Sequence, residues 1–180
     1  MSAYALKLER GTPMYGLNQP DEETDRAMFY AIRDVLADKG IIRYEISNFA
    51  KPGYECRHNL KYWMAQEYIG LGAAAHSYFD GKRSSNEERL EEYIGKVLKK
   101  GSARVTSLPV LDSAFEHIML KTRLCRGISM DELPNTPKMK GIIEKLDGYG
   151  LVTTGDHLCL TDRGLDLQNS VVIELAKGLS

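Results

Sequence analysis

The sequence contains no apolar segment that approaches the length of about 18 residues that a membrane-spanning helix needs. Its N-terminus also lacks the basic and then apolar layout of a secretory signal peptide. Basic and acidic residues are nearly balanced, at 24 and 25, so no broad positive field for nucleic acid or for an anionic membrane is expected. These absences predict a cytoplasmic protein without a nucleic-acid partner.

Cysteine is scarce, since the 180 residues contain only Cys56, Cys125 and Cys159. Their odd number and wide spacing, with no CxxC pair, do not fit a disulfide framework, and we expect them to be reduced and mostly buried. The phosphate-binding patterns GxGxxG and GxxxxGK(S/T) are missing as well. No Ser-His-Asp or Cys-His-Asn set can be argued from spacing, so acyl transfer is not supported.

The first hundred residues alternate between strand and helix patterns. Residues 2–9 alternate in a β-compatible way, Asp21 caps a helix that ends at Gly40, and a strand follows over 41–47. The order predicts an α/β fold with a parallel sheet of about three strands. Because a core strand at the very start of a domain is unusual, we expect the chain to be a piece of something longer.

A second group of elements extends this pattern. Small residues dominate 68–78, which is typical of a buried strand that lies close to another backbone or a ligand. A further helix is predicted between a cap at Ser85 or Asn86 and a terminator at Gly101.

From about residue 102 the pattern becomes winged-helix-like. The predicted elements are a helix over 108–124, a short element at 130–133, a helix over 138–149, a hairpin of 151–154 with 157–160, and a last helix capped by Thr161. We therefore predict two domains, residues 1–101 and residues 102–180. Such domains often bind DNA, but the charge is near neutral and only Arg163 lies near the wing, which argues against that role.

The most informative stretch is CRHNLKYW, residues 56–63. An imidazole such as that of His58 can ligate iron axially, the rings of Tyr62 and Trp63 can stack on a macrocycle, and the Asn59 amide can orient the imidazole. The alternative is structural, with both aromatic residues in the core and the histidine hydrogen-bonded there, and composition alone favours it. Cys56 would share the face of His58 if the stretch were extended, as a less favoured thiolate ligand.

His76 follows three alanines at the end of the predicted strand over 68–78. An imidazole there can meet a ligand, and the alternative is a histidine that caps the strand through a nearby carbonyl. The pattern alone does not decide between the two.

Five groups of residues, in order along the chain, resemble motifs of HemW-type proteins, the radical SAM proteins related to oxygen-independent coproporphyrinogen III oxidase. They are SAYAL with ERGTP (2–13), YEISNFA (44–50), HNxxYW (58–63), GLGAAAHSY (70–78) and LTDRG (160–164). HemW-type proteins carry the HNxxYW motif, which the true oxidases lack. Here His58, Asn59, Tyr62 and Trp63 fit it position for position.

The resemblance implies a haem chaperone in which His58 is the iron ligand and the other three motif residues complete the haem site. It also implies that Lys7 and His76 lie where the family's barrel meets S-adenosylmethionine, which makes them cofactor candidates. Haem or a porphyrin and a haem-accepting protein are the implied partners, although the sequence does not identify the acceptor.

One departure from the family is large. Its members hold a 4Fe-4S cluster through a CxxxCxxC motif near the N-terminus, and this chain has no such motif. The chain therefore resembles only the C-terminal half, which comprises the last strands of an incomplete parallel (β/α) barrel and a small C-terminal domain. We expect the cluster and S-adenosylmethionine in a full-length protein, and no catalysis by this chain alone.

Two further functions stay open on the resemblance, an oxygen-independent coproporphyrinogen III oxidase of porphyrin biosynthesis and a non-catalytic structural or interaction module. The missing N-terminal radical SAM half is an expected partner. Peripheral association of the full-length protein with a membrane, and self-association of this chain through an exposed barrel edge, are also left open.

Overall fold

A computed structural model describes residues 1–108 and 113–179. The described elements, in chain order, are α1 (Glu22–Ala37), β1 (Ile42–Glu45), β2 (Asn48–Ala50), α2 (Arg57–Trp63), β3 (His76–Phe79), β4 (Lys82–Asn86), α3 (Leu90–Lys100), β5 (Arg104–Leu108), α4 (Ser113–Lys121), β6 (Ile128–Ser129), α5 (Pro137–Gly148), β7 (Val152–Thr154), β8 (His157–Leu160), α6 (Asp162–Asp166) and α7 (Gln168–Ala176). Short 3-10 turns span Met130–Glu132 and Lys177–Leu179.

Helix α1 begins and ends where its sequence predicts. The Asp21 carboxylate accepts a hydrogen bond from the Thr24 N–H at 2.8 Å, which satisfies one of the free donors of the first turn. Gly40 follows the helix with φ +69°, a conformation that glycine adopts without strain. The helix packs through Phe29, whose ring centroid lies 5.9 Å from that of Phe49 in β2.

The strands of the first hundred residues pair antiparallel, whereas the sequence pattern predicted parallel pairing. Strand β1 pairs with β2, and β3, β4 and β5 form a second sheet in that order. The reason lies in the connections, because parallel neighbours need a crossover of about a dozen residues. Only two residues join β1 to β2, and Asp80 and Gly81, with φ +51° and +64°, join β3 to β4 in a tight hairpin turn.

The predicted first strand, residues 2–9, forms only a short contact. Ser2 bridges Asn48 antiparallel, and the Ala3 N–H donates to the Ser47 carbonyl at 2.8 Å. Beyond that point no described strand lies alongside the segment, so no ladder continues. Most of its side chains are exposed, 76% for Tyr4 and 59% for Leu6.

The strand predicted over residues 68–78 is also shorter than expected, because β3 covers only the last part of that range. Tyr68 bridges Tyr78, and the close approach of two backbones is present at Gly70, where an added Cβ would lie 2.1 Å from the His76 carbonyl oxygen. The cap predicted at Ser85 or Asn86 is wrong, since both residues lie in β4.

The second half of the chain contains the closed core. Strands β6, β8 and β7 form an antiparallel sheet in that order, and β7 and β8 are the predicted hairpin. Thr161 caps α6 as predicted, because its hydroxyl accepts a hydrogen bond from the Gly164 N–H at 3.0 Å. The predicted helix over 108–124 corresponds to α4, and residues 109–112 lie outside the described part. The core residues are Ile118, Ile128, Leu133, Met139, Ile143, Leu146, Val152, Leu158, Leu160, Leu165, Val171 and Leu175.

The two halves are joined by backbone contacts. The Cys125 N–H donates to the Tyr44 carbonyl at 3.0 Å, and Glu45 bridges Leu124 antiparallel. Strand β5 begins after residue 101 and pairs with β4. The division into domains at residue 101 stays a prediction. Among the described helices, none is both long and apolar enough to cross a membrane.

Candidate functional site

The HNxxYW motif forms the short helix α2, with Cys56 at its N-cap position. Residues four apart share one face of a helix, so the motif creates two neighbouring pairs, His58 with Tyr62 and Asn59 with Trp63. Cys56 and His58 are only two apart and point in different directions. The shared face that an extended stretch would give them is therefore absent.

His58 is exposed and contacts the half-buried Tyr62. The Tyr62 hydroxyl oxygen lies 2.8 Å from His58 Nε2, and the two rings are perpendicular with centroids 4.9 Å apart. Among the described residues, none hydrogen-bonds His58 Nδ1. The imidazole is thus solvent-accessible, and Tyr62 orients it, whereas the sequence had suggested Asn59 for that role.

Tyr62 also connects α2 to the second sheet. Its ring centroid lies 4.5 Å from that of Tyr68, in an edge-to-face arrangement. Tyr68 in turn exchanges two backbone hydrogen bonds with Tyr78, of 2.7 and 2.9 Å. The aromatic group on which a flat ligand could lie is therefore anchored to β3.

Asn59 and Cys56 lie on a different side of α2, where they line a cavity of about 590 Å³. Tyr44 lines the same cavity, and burial raises the pKa of its hydroxyl, while hydrogen bonds with the Cys56 backbone and the Asn59 side chain act in the opposite direction. All three cysteines are free, as predicted, but Cys56 is exposed and Cys125 and Cys159 are only half-buried. The prediction that the thiols are mostly buried is wrong, because Cys56 stands at a helix start on the surface.

Trp63 faces the C-terminal half of the molecule. The guanidinium carbon of Arg123 lies 4.2 Å from the centroid of its ring, a cation–π contact. Its Nε1 is buried and has no hydrogen-bond partner among the described residues. Sequence reasoning missed Arg123, since the contact joins positions 60 residues apart and no local pattern marks it.

The other two predicted site residues lie apart from this helix. His76 is exposed at the first position of β3, where it pairs with Ser85. Lys7 is exposed and forms an ion pair with Glu9, with 2.8 Å between Nζ and Oε1. It lines a separate cleft of about 1050 Å³ between the N-terminal segment and α1. His58, Asn59, Tyr62 and Trp63 all lie on α2, but the described contacts join only His58 and Tyr62. Asn59 and Trp63 face other parts of the molecule, and Lys7 lines a separate cleft.

The described residues contain no group of three or more His, Cys, Asp or Glu side chains that could hold a metal ion. The three cysteines therefore do not fit a 4Fe-4S cluster. Haem is a different case, because its porphyrin supplies four ligands and a single protein side chain can hold the iron. An accessible imidazole beside aromatic rings fits that requirement.

Comparison with known proteins identifies relatives over most of the chain, although no family model matches it. The heme chaperone HemW of Lactococcus lactis is 31% identical over 95% of this chain and 48% of the relative. HemW of Bacillus subtilis is 40% identical over 56% of the chain and 28% of the relative. The solved structure of the radical SAM enzyme coproporphyrinogen III oxidase (HemN) from Escherichia coli matches with a TM-score of 0.66, at 14% identity, over 87% of this chain and 42% of that one.

The likeness to the solved structure concerns the fold: the chain has the fold of part of a radical SAM enzyme of the coproporphyrinogen oxidase type. Within that class the chain is HemW-like, as its sequence motifs predicted. It spans about half the length, or less, of the curated relatives that it matches. The predicted α/β fold class is confirmed at this level.

Proposed function

We propose that this chain binds haem as cargo through His58 and serves in haem delivery as the C-terminal part of a HemW-like protein. The observation that carries the proposal is the accessible His58 imidazole, held by Tyr62 with Nδ1 unengaged by any described residue. Relatives that share most of this chain are named heme chaperones, which supports the same cargo.

The geometry suits a carrier that must release what it binds. The iron would take His58 Nε2 in place of the Tyr62 hydroxyl, and the apolar face of the porphyrin would then contact the Tyr62 ring and its neighbour Tyr68. Burial of apolar surface contributes roughly 25 cal/mol per Å², so one covered face stabilises the complex by several kcal/mol. Because the His58 imidazole is exposed rather than enclosed, transfer of haem to an acceptor needs no opening of the fold.

The cofactors of the full-length protein form a second part of the proposal. In a radical SAM protein a 4Fe-4S cluster and S-adenosylmethionine are expected, and His76 and Lys7 are our candidate contacts for the latter. The likeness to the coproporphyrinogen III oxidase concerns the fold alone, and no described residue favours oxidase activity over haem binding.

Titration of haemin into the chain tests the haem proposal. We expect a shift of the Soret band on binding, and we expect His58→Ala to weaken binding at least tenfold, about 1.4 kcal/mol, because it removes the iron ligand. His157→Ala is the matched control, since His157 is also exposed and lies in the wing hairpin. A His58→Ala variant that binds haemin with the spectrum and affinity of the parent chain would overturn the assignment.

A further inference from the structure

We propose that Arg123 is a positioning residue for the haem site. It holds α2 through Trp63 and Glu45, so that the His58 imidazole stays exposed and Tyr62 stays packed against Tyr68. The part of this inference that concerns haem rests on the proposed function, whereas the part that concerns the orientation of α2 does not.

Arg123 connects an aromatic ring to a buried charge. Its guanidinium lies over Trp63 and its Nη2 lies 3.6 Å from Glu45 Oε2. Glu45 is fully buried, and its other carboxylate oxygen accepts hydrogen bonds from the Ser47 N–H and the Asn48 side chain. A buried carboxylate is costly without a cation nearby, so Glu45 keeps the Arg123 guanidinium in place.

The residues after Arg123 continue the same contact. Leu124 is buried and bridges Glu45, and the Cys125 N–H donates to the Tyr44 carbonyl. Arg126 then reaches the sulfur of Met64, the residue that ends α2, at 2.7 Å. The loop that follows α4 therefore contacts both β1 and the C-terminal end of α2.

Helix α2 depends on such contacts because it is weak on its own. It has seven residues, and the Cys56 side chain makes no capping hydrogen bond. Helices of this length are marginal in water without tertiary packing. Its orientation, and with it the direction of the His58 imidazole, thus depends on the contact of Tyr62 with Tyr68 and on the contact of Trp63 with Arg123.

This arrangement also gives the two aromatic residues of the motif, Tyr62 and Trp63, different roles. The guanidinium of Arg123 covers one face of the Trp63 ring, so Trp63 serves to anchor the helix. Tyr62, which already touches His58, is the motif aromatic that contacts the porphyrin. The sequence pattern alone had given both rings the same role.

The chain offers a direct probe, because Trp63 is its only tryptophan. We compare the full chain with Arg123→Met and Arg123→Lys, using acrylamide quenching of tryptophan fluorescence without haem and then haemin titration. Arg33→Met is the matched control. The guanidinium carbon of Arg33 also lies over an aromatic ring, 4.6 Å from the centroid of Tyr30, and the side chain forms an ion pair with Asp162 at 2.6 Å. The Arg33 side chain is 28% exposed, and that of Arg123 is 27% exposed.

We expect Arg123→Met to make Trp63 more accessible to acrylamide and to weaken haemin binding about three- to tenfold. The position of the Soret band should not change, because His58 remains the ligand. Arg123→Lys keeps the charge beside Glu45 but loses the flat guanidinium over the indole, so both effects should be intermediate. Arg33→Met should change neither quantity, even where it lowers the melting temperature.

Each outcome decides the inference. Fluorescence quenching in both Arg123 variants that equals that of the parent chain would overturn it, as would the same loss of haemin affinity in Arg33→Met. If Arg123→Met does not fold, Arg123→Lys carries the test by itself, and unchanged quenching in that variant contradicts the inference. If the parent chain does not bind haemin, the proposed function fails, while the quenching data still decide whether Arg123 positions α2.

Discussion

Gly70 shows how one residue can set the geometry near the candidate site. The backbone at Gly70 lies so close to the His76 carbonyl that no side chain fits between them, and its N–H donates to the Ser77 hydroxyl at 3.0 Å. This close approach holds the segment that begins at Tyr68, and Tyr68 is the ring on which Tyr62 packs. A change at Gly70 should therefore alter the packing of Tyr68 against Tyr62.

We expect Gly70→Ala to destabilise the chain by about 1–3 kcal/mol, because the new methyl group overlaps backbone atoms that must move apart. Gly95→Ala is the control, since a Cβ there meets no atom within 4 Å and the position lies inside α3. It should stabilise the helix by about 0.5–1 kcal/mol. Urea unfolding of both variants measures the two effects, and equal stability of Gly70→Ala and the parent chain would contradict the packing.

At the same scale, the sequence indicated His58, Asn59, Tyr62 and Trp63 together because they occupy one short motif. Spacing on a helix then explains which of them pair. The partner that holds Trp63 was not foreseen, since Arg123 is distant in sequence and reaches the ring only through folding.

Among the elements, the helices followed their predicted bounds better than the strands. Helices α1 and α5 carry capping residues, Asp21 and Thr136, that fix where they begin. The predicted parallel pairing of the strands in the first half was wrong, because it did not take hairpin turns into account. Asp80–Gly81, a strong turn signal between two strands, was the local pattern that could have shown antiparallel pairing.

The 3-10 turn at Met130–Glu132 gives a prediction for pH. Partial burial acts to raise the pKa of Glu132, but hydrogen bonds from Lys121 and His117 lower it from 4.5 to about 2. A carboxylate with a lowered pKa in the folded state contributes stability above its unfolded value and loses that contribution as pH falls. The carboxylate of Glu132 should therefore stabilise the link between α4 and this turn above pH 4.5.

We expect Glu132→Gln to unfold at a lower urea concentration than the parent chain at pH 6. The difference should shrink as pH falls from about 4.5 through about 2, where the parent carboxylate is protonated. Urea titrations at several pH values measure it. A difference that stays constant down to pH 2 would show that Glu132 does not act through its charge.

On the scale of the whole molecule, the two halves differ in how completely they bury their apolar side chains. The second half buries a continuous core, whereas the first half leaves large apolar side chains exposed around the cleft that Lys7 lines. Leu6 and Met28 on its walls are 59% and 47% exposed. The sequence pattern predicted that Leu6 lies in a buried strand and Met28 on the buried side of a helix. It could not show that no described element covers these two side chains.

We expect the isolated chain to self-associate through this cleft, because exposed apolar surface beside an unpaired backbone segment favours pairing with a second copy. Sedimentation velocity should show concentration-dependent association, and Leu6→Lys should reduce it. Leu98→Lys is the control, since Leu98 is 82% exposed and lies on α3, outside the cleft. Sedimentation as a monomer at all concentrations would contradict this expectation.

Ligation of haem iron by the His58 imidazole can be tested by chemical rescue of His58→Ala. Free imidazole added to the variant with haemin should occupy the space left by the side chain and restore the Soret band of the parent complex. We expect a weak Soret band without imidazole and its recovery when imidazole is added, with no comparable effect on His157→Ala. A parent-like Soret band in His58→Ala before any imidazole is added would contradict the account.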